Sequence, residues 1–460
     1  MREPRRGSRS PRWRVIESDI VSLRTDQVAG RATTVIRRPS DAAKGSMAKN
    51  ELLEKGVNRI EWAKTHMKVL GKIRERMVKE KVFEGLKVGM ALHTEAKTAV
   101  LALAIQEAGA KVRLTSCNPL STDDSVALAL NKEYGLETYA KKGQTNKEYY
   151  DSLNKVLDIG PDYVIDDGAD LIFLLHTKRK ELLRKVKGAN EETTTGIMRL
   201  RSMAQDGALK FPVMSVNDAY MKYLFDNRYG TGQSTMDGIM TSTNLTIAGK
   251  DFVIAGYGWC GKGIAMRAKG MGADVTICEV DPIRAIEAKL DGFAVMPMSE
   301  AAKGADFIVS ATGCKDVVTA RDLQVMKDGC VLANSGHFDN EVSKKALESM
   351  SKKHRKVRES VEEYQLKNGR KVYLLADGRL VNLAAGQGHP VEIMDMSFAI
   401  QALCLEYLEF SAQVLEPDVY DVPDHLDELV AKLKLETMGV KIDKLSKDQQ
   451  SYVRSWKEGT

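Results

Sequence analysis

Apolar and polar positions change period twice along this chain, and each change predicts a different kind of element. From Leu52 the apolar residues keep a helical spacing through "IEWAKTHMKVLGKIRERMV", which predicts one helix up to about Val78. Short apolar runs then alternate with longer amphipathic ones. "KVGMAL", "KVRLTS", "LETYA" and "DYVIDDG" read as strands; "TEAKTAVLALAIQEAG", ended by Gly109, and "DDSVALALNKEYG" read as helices. Such alternation predicts a parallel sheet with helices on both faces, with ligands beyond the carboxyl ends of its strands. His93, Cys117-Asn118 and Asp166-Asp167 fall at those ends.

A second alternating series starts near Lys250, with "DFVIAG", "DVTICEV", "GFAVMP", "DFIVSAT", "CVLANSG", "VYLLAD" and "LVNLAAG" as its strands. Between the last of the first five and "VYLLAD", the charged stretch "KKALESMSKKHRKVRESVEEYQLKNGRK" reads as a solvated helix and hairpin. "MDMSFAIQALCLEYLEFSAQ" supplies a long apolar-faced helix able to pack back on the first domain. The expected fold is therefore α/β, with two doubly wound Rossmann-like domains and a short helical C-terminal segment. The expected divisions are a basic, disordered extension over 1–46, a substrate-binding domain over 47–217 plus 391–421, an NAD-binding domain over 233–387, and an oligomerisation segment over 422–460.

Composition changes this picture little. The net charge of +6 resides in the first 46 residues, where eleven Lys/Arg face five Asp/Glu; the remainder carries 58 of each sign. A neutral body argues against a nucleic-acid-binding surface. No apolar run reaches the roughly 20 residues that span a bilayer, so no membrane partner and a cytoplasmic location are expected. The six cysteines are scattered without metal-type spacing, which predicts reduced thiols and no metal site.

The sharpest local signal is "VIAGYGWCGKGIAMRAKGMGADVTICEVD". Gly256, Gly258 and Gly261 follow a buried-type strand and open a helix, and Glu279 lies 23 positions after Gly256 at the end of the next strand. Glycines allow close approach of a pyrophosphate, the helix N-terminus favours its charge, and a carboxylate accepts both ribose hydroxyls. NAD is the expected cofactor. Glu279 would repel the 2′-phosphate of NADP, although Arg284 nearby would favour it. A plain dehydrogenase often begins with this turn, and the large domain placed before it here points to further chemistry.

Together, "SCNPLSTDD", "NEETTTG", "VNDAYMKYLFDNRYG", "AGYGWCGKG", "NSGHFDNE" and "LVNLAAGQGHP" resemble the adenosylhomocysteinase family from about Met47 to the last residues. The resemblance implies reversible hydrolysis of S-adenosyl-L-homocysteine to adenosine and homocysteine. In it, bound NAD oxidises the 3′-hydroxyl, the acidified C4′ proton leaves, the thiolate is eliminated, water adds, and the ketone is reduced again. It further implies that Lys222 and Asp226, four apart on one helical face, handle the 3′-hydroxyl, and that His93 and Asp167 serve as acid and base at C4′ and C5′. Glu192 is expected at the ribose hydroxyls and Thr193, Thr194, Thr195 and Asn227 at NAD. Asn334, His337 and Asn382 are expected at the nicotinamide end, and Thr98, Asn217 and His389 at the substrate. A small-molecule substrate and a homotetramer or homodimer follow from the same resemblance.

Three departures from the family pattern stand out. Lys97 occupies a place where many members carry a carboxylate that contacts the adenine amino group, and Glu95 stands where threonine is common. An ammonium only donates, which suits the 6-oxo group of hypoxanthine, so S-inosyl-L-homocysteine is the alternative substrate; otherwise Lys97 points to solvent or pairs with Glu95. Thr231 replaces a cysteine near the nicotinamide, and "SYVRSWKEGT" lacks the longer Lys- and Tyr-bearing tail that crosses to a neighbour's NAD. Competing readings are a non-catalytic regulatory relative and an ordinary dehydrogenase with exchangeable NAD. Intact Lys222, Asp226, Asp167 and His93 argue against the first, and acid–base groups on the first sheet argue against the second.

Overall fold

A computed structural model describes residues 41–456; the basic opening over 1–40 lies outside the described residues. The backbone of 41–46, expected as part of that extension, already belongs to the first helix, Asp41–His66. The single helix expected from Leu52 is in fact two, Asp41–His66 and Lys68–Glu80, broken at Met67. Buried Asp395 explains the break: its carboxylate accepts the N–H groups of Val69 and Leu70 at 3.1 and 2.9 Å, at the positive end of the second helix.

Two sheets carry the rest. The first comprises β1 (Lys87–Ala91), β2 (Lys111–Thr115), β3 (Glu137–Thr138), β4 (Tyr163–Asp166), β5 (Gly188–Glu191) and β6 (Val213–Ser215). The second comprises β7 (Asp251–Ala255), β8 (Asp274–Cys278), β9 (Ala294–Val295), β10 (Phe307–Ser310), β11 (Cys330–Asn334), β12 (Ser351–Arg358), β13 (Val361–Leu366) and β14 (Lys371–Leu375). A late strand, β15 (Val419–Asp421), returns to the first sheet, whose order is β15-β6-β5-β4-β1-β2-β3, parallel throughout. The second runs β12-β13-β14-β11-β10-β7-β8-β9, parallel except for the charged hairpin β12-β13 and its pairing with β14.

Both sheets reverse their winding beside their first strand, between β1 and β4 in one and between β7 and β10 in the other. Crevices at such switch points are where open α/β sheets bind ligands. The register sets Ala91 opposite Asp166 and Ala255 opposite Ser310, so the following loops open side by side.

The helix Val391–Ser411 is buried along most of its length and contributes Ile400 to the core of the first sheet, which also holds Met67 and Leu70. The helix Asp424–Thr437, expected as part of an oligomerisation segment, also packs there: Leu426 and Val430 join that core, and Asp427 accepts the N–H groups of Tyr220 and Met221 at 2.7 and 2.8 Å. "LVNLAAG" is not a strand but contains a short helix, Val381–Ala384. It lies so close to the helix Thr231–Thr243 that a Cβ on Gly238 would sit 2.4 Å from the Val381 carbonyl oxygen.

Candidate active site

The two switch points face one cleft of about 1080 Å³. That is at or above the upper end of ordinary single-ligand pockets, about 300–1,000 Å³, and leaves room for a dinucleotide beside a second ligand. From the first sheet come His93 after β1, Asp167 after β4, and Glu192 with the three threonines after β5; from the second come the turns after β7, β8 and β10.

On the dinucleotide side the three glycines do different work. Gly256 has φ +99, and a Cβ there would meet the Ala311 carbonyl oxygen at 2.7 Å; one on Gly261 would lie 2.0 Å from the Gly256 carbonyl oxygen. These two let the strand turn and the helix press against it. Gly258 is different: the nearest atom to a Cβ there is Arg284 Nη1 at 3.7 Å, so its backbone borders open cleft. The helix Trp259–Gly270 carries no acidic residue in its first turn, leaving its N-terminal N–H groups to an anion. Glu279 lines the cleft while accepting the N–H groups of Tyr257 and Val280 at 2.6 and 2.7 Å. These residues fit NAD. Thr194 and Thr195 face them from the first turn of the helix Thr194–Gln205, likewise free of acidic residues, and Thr193 from the N-cap before it.

Across the cleft lies a buried charge cluster. The chain widens into π-helical turns over Tyr223–Gly230, a feature frequent at functional sites, directly after Lys222. Lys222 Nζ donates to Asn227 Oδ1 at 2.8 Å and sits 3.3 Å from Asp226 and 3.4 Å from Glu192. Burial alone would lower the lysine's pKa, but Asp226 and Glu192 outweigh it and hold the ammonium firmly charged. Asp226 is held below the usual carboxylate range in spite of burial, by Lys222 and by His389, whose Nδ1 meets its Oδ1. Glu192 behaves oppositely: burial dominates and raises it to about 7. Its Oε2 accepts from Gln401 at 2.6 Å, while its buried Oε1 accepts no hydrogen bond and faces the Lys222 ammonium at 3.4 Å.

The acid–base pair at the sheet ends is also assembled. His93 Nε2 lies 3.3 Å from Asp167 Oδ2, and burial lowers the imidazole to about 4. From the second sheet, His337 reaches across with Nδ1 3.6 Å from Asp167 Oδ1; a Cβ on Gly168 would collide with its ring at 2.4 Å. The glycine is what allows this bridge between the two halves.

Several expected contacts take another form. Asn334 is fully buried and spends its amide on the carbonyls of Gly336, Phe338 and Gly378, so it braces the loop that carries His337. Asn217 accepts from Thr194 at 3.1 Å and from Asn227 at 3.1 Å, holding cleft residues from behind. His389, expected at the ligand's tail, is tied to Asp226 and lies 3.1 Å from Asn382 Nδ2 and 3.3 Å from Thr231 Oγ1. Asn382 and Asn227 line the cleft, while Thr98 borders it beside the base-recognition position.

Lys97 does not point to solvent. Only 6% of it is exposed; its ammonium pairs with Glu95 at 2.7 Å, donates to the Gln387 carbonyl at 3.0 Å, and borders the cleft. Glu95 also caps its own helix, accepting from the N–H groups of Lys97 and Thr98.

Sequence reading passed over three buried polar residues that hold the catalytic ones. Ser397 donates to Asp226 at 2.8 Å and Gln401 to Glu192, one turn apart on the Val391–Ser411 helix. Glu191, fully buried, accepts the N–H groups of Gly168, Ala169 and Thr193 at 2.8, 3.0 and 3.0 Å, tying the Asp167 loop to the threonine loop. Polar residues on the inward face of an otherwise apolar helix or strand are the signal that could have found them.

Comparison with known proteins decides the family. Residues 46–182 match the family model for S-adenosyl-L-homocysteine hydrolase, and residues 227–388 match the model for its NAD-binding domain. The chain belongs to the S-adenosyl-L-homocysteine hydrolase family. It is 58% identical to the S-inosyl-L-homocysteine hydrolase of Methanocaldococcus jannaschii, over 89% of this chain and 98% of that one. It is also 58% identical to the adenosylhomocysteinase of Archaeoglobus fulgidus, over 88% of this chain and all of that one, and 56% identical to that of Thermoplasma volcanium, over 88% and 99%. As a member of this family it is an enzyme that binds NAD. Among the described residues no helix is long and apolar enough to cross a membrane.

Proposed function

We propose that the protein catalyses the reversible hydrolysis of S-adenosyl-L-homocysteine to adenosine and L-homocysteine, with NAD retained in the cleft. When bound, NAD supplies reversible oxidation of the ribose 3′ carbon, which makes the neighbouring C4′ hydrogen acidic. The observation that carries the reading is the buried cluster of Lys222, Asp226 and Glu192, lining the same cleft as the dinucleotide turns and the His93–Asp167 pair. Lys222, kept charged, orients and polarises a sugar hydroxyl. Glu192 takes that hydroxyl's proton, because a carboxyl raised to about 7 exchanges protons near neutrality. Asp167 removes the C4′ proton. His93, neutral because burial disfavours its charge, gives up readily any proton passed to it from Asp167, and the departing sulfur is the acceptor. The closed bridge from His337 to the Asp167 loop keeps stray water from the intermediate.

A second substrate reading rests on Lys97. Two of its three donor directions are met by Glu95 and Gln387, and it borders the cleft. A remaining N–H suits the 6-oxo group of hypoxanthine better than the amino group of adenine. Thiol release measured on S-adenosyl- and S-inosyl-homocysteine tests both. Turnover of neither would end the hydrolase reading, and Lys97→Glu is expected to shift preference toward the adenosyl compound by roughly tenfold or more, the scale of a misplaced buried polar group.

A further inference from the structure

Lys97 stands in a wall shared by the cleft and a second, wider opening of about 1570 Å³. The carbonyl that receives its ammonium belongs to Gln387, in a short loop that Gly388 turns with φ +72; a Cβ there would sit 2.9 Å from Leu383 Cδ2. The Gln387 N–H donates to Asp237 Oδ2 at 3.1 Å, and its side-chain Oε1 accepts from Arg59 Nη2 at 2.6 Å. Arg59 lies on the first helix and borders the second opening, not the cleft; its Nη1 donates to Asp123 Oδ2. Asp123 in turn donates its N–H to the Thr94 carbonyl at 2.8 Å, one residue before Glu95, the partner of Lys97. The contacts close a ring through Lys97, Gln387, Arg59, Asp123, Thr94 and Glu95.

We propose that Arg59 is a positioning residue for nucleobase selection: it fixes the Gln387 loop so that Gln387 and Glu95 occupy two donors of Lys97 and the third is directed at the 6-oxo group of the base. This deepens the second substrate reading above and rests on it, since Arg59 acts only through Lys97. An ammonium turns about its last bond, so a single acceptor leaves its other two hydrogens undirected. A second, fixed acceptor sets all three. Guanidinium suits the task because its rigid fork meets two acceptors at once, here Asp123 on one side and Gln387 on the other. At 38% side-chain exposure the Arg59–Asp123 pair adds little to folding stability. Its effect is on the direction of one buried donor.

The test uses the full-length, NAD-loaded protein and compares kcat/KM for S-inosyl- and S-adenosyl-homocysteine by thiol release. Arg59→Ala should lower the inosyl-to-adenosyl ratio ~5-fold, the scale of one net hydrogen bond, with the loss falling on KM more than on kcat. Gln387→Ala keeps the carbonyl but removes its anchor, so it should act alike, and the double variant should be no worse than either alone. Arg59→Lys should recover only part of the ratio. Arg76→Ala, which breaks a two-bond pair with Glu406 on the Val391–Ser411 helix, is the control: it should lower Tm without moving the ratio. An unchanged ratio in Arg59→Ala beside a shifted one in Lys97→Glu would overturn the proposal and leave the substrate reading standing; an unchanged ratio in both would overturn the two together. Additive losses in the double variant, or an equal shift in Arg76→Ala, would also overturn the assignment of Arg59.

Discussion

Glu192→Gln separates the proton acceptor from the permanently charged groups around it. The substitution keeps the shape and one acceptor facing Gln401 but removes a carboxylate raised to about 7 by burial. As a base it works only when ionised, so in the wild type kcat/KM should rise with pH, about tenfold per unit below that value, and level off above it. His93 lies at about 4, Lys222 is held above its ordinary range and Asp226 below its own, but burial also raises Asp166 to about 7, so the limb is assigned to Glu192 by its loss in the variant. Loss of a positioned base costs about 10²–10⁴ in rate, equivalent to roughly 2.7–5.4 kcal/mol of barrier. The assay is homocysteine release, followed with a thiol reagent between pH 5.5 and 9, against a blank without substrate because Cys314 is exposed. Glu192→Gln should lose the limb and the rate together. A limb that persists unchanged in the variant would refute the assignment, as would a wild-type profile flat through neutrality.

Other expectations follow from the same geometry. Lys222→Met leaves Asp226 and Glu192 buried without their countercharge, at a cost of about 3–5 kcal/mol. Because Glu192 loses the one neighbouring cation that opposes its burial and rises further above its unfolded value near 4, the penalty is present at pH 8 and shrinks as the pH falls, so the Tm gap from wild type should be smaller at pH 5. Burial, with Asp166 and Asp167 nearby, pushes the Glu191 carboxyl well above its usual range, so Glu191→Gln weakens a cradle of three N–H bonds worth about 0.5–1.5 kcal/mol each. Both kcat and NAD retention on gel filtration should fall while circular dichroism stays unchanged; an effect on only one of them would separate the two loops. Gly261→Ala forces a Cβ to within 2.0 Å of the Gly256 carbonyl oxygen, and should lower Tm and release NAD; retention of the cofactor would contradict the packing argument.

Much of this arrangement was legible in the sequence. The strands carrying His93, Asp167 and the glycine turn are apolar runs bounded by turn residues, and local hydrophobicity sufficed to find them. "GANE" gave no such signal, yet β5 is an interior strand, because Asn190 donates to Gln401 and Glu191 accepts three N–H groups. A buried polar strand is satisfied by partners far away in the chain, which a local pattern does not contain. "LVNLAAG" failed for another reason: short apolar runs fit a strand or a helix equally, and contact with Gly238 selects the helix. The break at Met67 depends on Asp395, more than three hundred residues later. Motif resemblance located Lys222, Asp226 and Glu192, but only their mutual burial distinguishes the group kept charged from the one that titrates.

Rapid mixing of the NAD-loaded protein with S-adenosyl-homocysteine is the most direct test of the central claim that a captive nicotinamide opens the sugar to elimination. Absorbance of reduced, protein-bound coenzyme should appear before free homocysteine, and deuterium at the 3′ carbon should slow its appearance. Thiol released without any reduced coenzyme would contradict the account.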